Sequence, residues 1–207
     1  MKNKKILNDV NSYYTDKILK NGLTPQGVDW NSVESQNLRF EILSADIDSY
    51  KHFSVIDYGC GYGSMLDFYK TQYNNFDFFG CDISEEMINN AKEIHKDDEN
   101  AKWFTDIKDV PNADFVIASG IFNVRLENSE KDWLAYILET LKTIDEKSTK
   151  GFSFNMLTKY SDAEYMKDYL YYADPLFIFD YCKRNFSKYV ALKHDYPLYE
   201  FSISVKK

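Results

Sequence analysis

Cysteine is scarce in this chain. The three present, Cys60, Cys81 and Cys182, are odd in number and form no CxxC pair. That argues against a disulfide framework or a zinc site and reads as buried thiols in a reducing compartment. Long apolar runs are also missing, and nothing approaches the roughly 18–20 residues that span a bilayer. The basic start Met1-Lys2-Asn3-Lys4-Lys5 leads into a polar helical pattern, not an apolar signal core, which predicts a cytoplasmic protein without membrane association. Positive charge is in deficit too. The net charge is −8, a poor basis for nucleic-acid binding, which draws on lysine and arginine at phosphates. Arginine is reduced to Arg39, Arg125 and Arg184. A guanidinium can grip carboxylate or phosphate bidentately, with a solvated surface position the equal alternative for each.

What remains is ordinary globular material: 207 residues, 44% hydrophobic and 28% charged, enough for one domain with a substantial core. Residues 6–20 have helical spacing and stop at Asn21-Gly22. Pro25 and Gly27 mark a loop, and Asn31 or Ser32 caps a second helix running to about Ser49. From His52 the rhythm alternates. Strands are predicted at 53–58, 76–81, 101–105, 113–119 and 152–157. Helices are predicted at 64–72, after Ser84, and through Trp133, Ile137, Leu141 and Ile144. Helical segments at 162–172 and 175–186 precede two strands, 189–193 and 199–205, joined at Asp195-Tyr196-Pro197. The fold expected is α/β: a doubly wound, Rossmann-like, seven-stranded sheet, mostly parallel, with an antiparallel C-terminal hairpin. One domain divides into a helical lid (1–50), a cofactor-binding core (51–157), a helical insertion (158–187) and the hairpin (188–207).

The most informative run is Val55-Ile56-Asp57-Tyr58-Gly59-Cys60-Gly61-Tyr62-Gly63-Ser64. A strand that ends in a carboxylate and breaks into alternate glycines before a helix is a cofactor cradle. A dinucleotide site would carry its third glycine, or an alanine, where Ser64 stands, and Asp57 would repel a pyrophosphate. A ligand with an ammonium and a sulfonium tolerates that carboxylate. A nicotinamide-dependent oxidoreductase is therefore the disfavoured alternative.

The pattern Asp-x-Gly-x-Gly-x-Gly resembles motif I of the class I S-adenosylmethionine-dependent methyltransferases. The resemblance continues through Gly80-Cys81-Asp82-Ile83-Ser84, Phe104-Thr105-Asp106-Ile107 and Asp114-Phe115-Val116-Ile117-Ala118-Ser119-Gly120. It implies that S-adenosyl-L-methionine is held by Asp57, Gly59, Cys60, Gly61 and Gly63, with Asp82 and Ile83 at the ribose, Asp106 and Ile107 at the adenine and Ser119 at the methionine part. Asp82 as a plain helix cap and Asp106 as a turn residue are the bland alternatives. Residues 27–40 resemble an N-terminal lid of a little-characterised bacterial group, several of them among surface-glycan genes. That likeness implies that Tyr14, Trp30, Gln36 and Arg39 close over the cofactor, with Arg39 on its carboxylate.

Methyl transfer from a sulfonium needs alignment and desolvation first, and a general base only for a poorly acidic acceptor. Substrate contacts are expected from Asn123, Arg125, Asn155, Tyr171, Tyr172, Arg184 and Tyr196, and His194 is the best base by chemistry, with a surface histidine at a turn as its alternative. The aspartate-asparagine-proline-proline pattern of amino-group methylases is absent, with Ser119-Gly120-Ile121-Phe122 in its place. The expected activity is O-methylation of a small molecule, a sugar or phosphorylated glycan precursor. A catalytically silent cofactor-binding module is the other alternative. No metal is expected, and oligomeric state is not legible.

Overall fold

The computed structural model describes residues 2–22 and 32–207. Trp30 and the cap candidate Asn31 lie outside them. Helix α1 (Lys2–Asn21) and helix α2 (Val33–Ser44) precede an alternation of β1 (Phe53–Tyr58), α3 (Ser64–Gln72), β2 (Phe76–Cys81), α4 (Glu85–Ile94), β3 (Ala101–Phe104), β4 (Ala113–Ala118), α5 (Glu130–Lys147) and β5 (Ser148–Leu157). Helix α6 (Pro175–Asn185) and strands β6 (Tyr189–Lys193) and β7 (Glu200–Lys206) follow. The seven strands make one sheet in the order β3-β2-β1-β4-β5-β7-β6, parallel except for β7, which runs antiparallel to both neighbours. This is the Rossmann-like arrangement expected from the alternating pattern.

Burial follows the sequence pattern. Val55, Ile56, Phe78, Val116 and Phe154 are fully buried because helices cover both faces of the sheet. Trp133 anchors α5, its ring buried and its Nε1–H donating to the Phe122 carbonyl at 2.9 Å. The helix caps are chemically transparent. Ser84 Oγ accepts from the Met87 amide at the start of α4, and Asp174 accepts from Leu176 and Phe177 ahead of Pro175.

Two expectations need correction. Helix α2 ends at Ser44, not near Ser49. Asp46 and Asp48 would meet the negative end of the helix dipole there, and Asp46 pairs instead with Lys206 at 2.8 Å. Residues 162–172 are not a helix. Apart from a single 3-10 turn at Ala163–Tyr165, their backbone pairs with the loop after β4. Leu126 N–H donates to the Tyr169 carbonyl and Tyr171 N–H to the Asn123 carbonyl. The order of strands reverses between β1 and β4, so the crevice beyond their C-terminal ends is where such sheets take ligands.

Candidate functional site

Strand register brings the chemistry together. Asp57 is paired with both Gly80 and Ile117, Cys81 with Phe104, and Ala118 with Phe154. The next residue on each strand therefore falls on one row at the C-terminal edge: Gly59 just past β1, Asp82, Thr105, Ser119 and Asn155. The glycine turn is pinned to that edge by the Cys81 carbonyl, which accepts from Gly59 N–H at 2.7 Å and Cys60 N–H at 3.1 Å. Gly59 has φ +84, and a Cβ there would lie 2.3 Å from Ile121 Cγ2, so only glycine fits.

Above this row lies a cavity of about 520 Å³. Its floor is the glycine turn and the strand ends; α1 and α2 contribute Val10, Tyr14, Gln36 and Phe40 to its wall. Gln36 Nε2 donates to Ser64 Oγ at 3.0 Å, tying α2 to the start of α3. Asp82 binds the turn from below. One carboxylate oxygen accepts from Gly61 N–H and the other from Ser84 N–H, both at 2.9 Å. Burial pushes its pKa up against the pull of those two amides. Asp57 is 3% exposed, yet it lines the same cavity. Burial, then the Asp82 carboxylate, push it up to about 8.

That value has a measurable consequence. A carboxyl with a folded pKa of about 8 and an unfolded value of about 4 keeps a proton that only the folded state binds. Folded stability therefore falls as pH rises through this interval and levels off above it. Asp57→Asn is expected to flatten the slope of urea-unfolding free energy between about pH 5 and pH 8. An unchanged slope would count against a protonated Asp57. A cation held beside it favours the ionised form, so affinity for a cationic ligand rises over the same interval.

Residues 55–143 match the family described as "Methyltransferase domain". A Mycobacterium tuberculosis (strain H37Rv) protein named "Putative methyltransferase Rv1506c" is 48% identical over 155 residues, which is 75% of this chain and 93% of that one. The chain belongs to the class I S-adenosylmethionine-dependent methyltransferases. Solved structures share the fold. Magnesium protoporphyrin IX methyltransferase from Synechocystis PCC 6803 with bound SAH superposes with a TM-score of 0.68 at 15% identity, covering 99% of this chain and 98% of that one. The DhpI-SAM-HEP complex gives 0.65 at 12% identity, covering 97% of each chain.

S-adenosylmethionine is the methyltransferase's cofactor, and the residues present fit it. The Asp82 oxygens each spend one lone-pair direction on an amide and keep others for hydroxyl donors. Ser119 Oγ is buried at the cavity wall without a hydrogen-bond partner. No hydrogen bond among the described residues reaches the Asp57 carboxyl. Two carboxyls and an unsatisfied hydroxyl suit a ligand bearing hydroxyls and cationic nitrogen and sulfur.

Ten of the sequence-predicted cofactor residues stand in the cavity wall: Tyr14, Asp57, Gly59, Cys60, Gly61, Asp82, Ile83, Asp106, Ile107 and Ser119. Asp106 also turns Oδ1 back onto the Lys108 amide at 3.0 Å, so it caps a 3-10 turn as well. Gly63 and Arg39 are outside the wall. Gly63 lies against Trp103 and His95. Arg39 donates to Glu200 Oε2 and to the Ser35 carbonyl, both at 2.9 Å.

The expected substrate residues, Asn155 and Tyr171 included, are outside the wall too. Asn123 Oδ1 accepts from Leu157 N–H, and Arg125 spans the carbonyls of Asn128, Asp168 and Leu170. Tyr172 accepts from Lys167 N–H, Arg184 pairs with Asp180 on the solvent face of α6, and Tyr196 meets Ser202. His194 is exposed, its ring about 6 Å from those of Tyr160 and Phe201.

Sequence reasoning placed Tyr14 of one cavity stripe at the cofactor and missed the rest of that stripe and all of a second. Leu7, Val10, Asn11 and Tyr14 on α1 and Tyr136, Glu139, Thr140 and Thr143 on α5 all line the cavity. Both follow i, i+3, i+4, i+7, the spacing of one helix face. The three cysteines are unpaired and buried, and burial lifts the Cys81 thiol to about 12.

Proposed function

We propose that this methyltransferase acts on an oxygen of a small, neutral, hydroxyl-bearing acceptor. The observation that carries the reading is the wall of the cavity. Among the described residues, Lys108 is its one lysine or arginine, set against tyrosines, threonines and the carboxyls already named. A phosphorylated acceptor or a nucleic acid would call for cationic partners that this wall does not supply. A concave cavity of about 520 Å³ walled in part by α1 and α2 supports a small acceptor over a polymer.

When bound, S-adenosylmethionine supplies an electrophilic methyl group on a sulfonium. The chain's own part is orientation. Asp82 accepts hydroxyl protons at the ribose position, the glycine turn sets the height of the floor, and Asp57 favours cationic groups at the other end. Asp106 and Ile107 are proposed to meet the adenine. Helices α1 and α2 exclude water, and holding both reactants in register accounts for on the order of 7–11 kcal/mol of the barrier. The acceptor's hydroxyl proton passes to water as its oxygen takes the methyl, and no proton step is placed on His194, whose ring stands outside the wall.

The test has two stages. Titration calorimetry is expected to show S-adenosylmethionine and S-adenosylhomocysteine binding one site. A panel of neutral alcohols and sugars, their phosphates, amines and RNA is then read by mass for methyl gain. Transfer to a neutral hydroxyl supports the proposal. Transfer to phosphate, nitrogen or RNA alone overturns it, and binding without transfer to any of them would favour a silent module.

A further inference from the structure

A chain of buried polar side chains runs from the lid to the cavity floor. Arg39 on α2 donates Nε–H to Glu200 Oε2 at 2.9 Å. Asn155 on β5 donates Nδ2–H to Glu200 Oε1 at 2.8 Å. Asn155 Oδ1 in turn accepts the Gly120 amide at 2.7 Å. Arg39 is 8% exposed, Glu200 1% and Asn155 0%. Groups buried this deeply and this fully paired hold one arrangement, since any broken link strands a polar atom away from water.

The direction of the chain matters. The Ser119–Gly120 peptide is trans, and in a trans peptide the N–H and C=O point opposite ways. The Gly120 N–H points at β5. Strand β4 lies between β5 and β1, so the Ser119 carbonyl is turned toward the β1 side, where Asp57 and Gly59 line the cavity. Gly120 takes φ +77 to make the turn. We infer that Arg39, Glu200 and Asn155 are positioning residues that set this peptide plane and so hold the Ser119 carbonyl as an acceptor facing the cofactor's cationic end. This rests on the cofactor occupying the cavity.

The donor and acceptor pattern permits a sharp experiment. A carboxylate accepts only, an amide does both, and the order here is Arg donor, Glu acceptor, Asn donor and acceptor, Gly donor. Glu200→Gln puts an NH2 against the NH2 of Asn155. Flipping Asn155 merely moves the clash to the Gly120 N–H. Asn155→Asp sets two carboxylates face to face. The double variant Asn155→Asp/Glu200→Gln restores every link. Its new amide at position 200 accepts from Arg39 and donates to the new carboxylate at position 155, which accepts from Gly120.

Titration calorimetry with S-adenosylhomocysteine reads the result, well below each variant's unfolding temperature. Each single variant is expected to bind about tenfold more weakly or worse, and the double variant to recover to within about threefold of wild type. A single variant binding like wild type overturns the inference, as does a double variant no better than the singles. If the singles fail to fold, amide exchange on the wild-type protein decides. A Gly120 amide protected like those of β5 supports the relay, and one exchanging like an open loop overturns it. Wild-type protein that bound no S-adenosylhomocysteine would instead remove the cofactor assignment, a separate failure.

Discussion

Replacing Asp82 by alanine is expected to weaken S-adenosylhomocysteine binding roughly a hundredfold, about 3 kcal/mol. The magnitude follows from what the carboxylate touches. It accepts from Gly61 and Ser84 amides at 2.9 Å, and charge-assisted bonds of this kind contribute about 1.5–3 kcal/mol each. Water entering the gap recovers part of that, while the ligand's hydroxyls lose their acceptor. Asp82→Asn keeps one acceptor oxygen and is expected near tenfold. Folding stability should suffer less than binding, because Asp82 is itself the charged neighbour that raises Asp57. Removing it lowers the Asp57 pKa and relieves a buried repulsion. Calorimetry beside urea unfolding separates the two effects. Affinity within threefold of wild type would sink the assignment of Asp82 to the ligand.

Gly63→Ala is expected to cost about 3 kcal/mol of stability and roughly 10 °C in Tm. The residue sits at φ +94, where any side chain is strained by about 1–2 kcal/mol. A Cβ would also stand 2.5 Å from the Trp103 ring and 2.8 Å from His95 Nε2. Neither can withdraw. The two rings stack with centroids 5.3 Å apart, and Trp103 is backed by Phe78 and by the bare backbone of Gly80. Gly22 provides the control, with φ +70 and nothing within 4 Å of its Cβ. Alanine there carries backbone strain alone, about 1 kcal/mol. Equal losses at the two positions in urea unfolding would show that ring contact contributes nothing at Gly63.

The third glycine of the motif thus packs a helix onto a strand, whereas Gly59 and Gly61 line the ligand's floor. Sequence spacing could not separate these roles, because all three sit at positive φ. The sheet was legible because buried parallel strands read as short apolar runs, and Asp82 and Ser119 on the row were legible because each follows such a run directly, with Asp106 one residue past Thr105. The cavity face of α5 was not. A face shared between core and ligand is chemically mixed, as Tyr136, Glu139, Thr140 and Thr143 show, and hydrophobic periodicity assigns such residues to solvent. The residues expected to hold substrate stand outside the cavity wall for a different reason. Asn123 and Arg125 are polar because irregular backbone around residues 157 and 168–170 needs partners. Nothing in one sequence distinguishes a side chain that satisfies a loop from one that awaits a ligand.

The position of β7 carries a consequence for biosynthesis. This strand emerges from the ribosome after every other, yet it inserts between β5 and β6 and brings Glu200, 161 residues beyond Arg39. Until then β5 presents an open edge to other chains, and Asn155 has no anchor for its amide. The buried Arg39–Glu200–Asn155 chain therefore closes only with the last strand, so a nascent chain stalled before residue 200 lacks the carboxylate that joins Arg39 to Asn155.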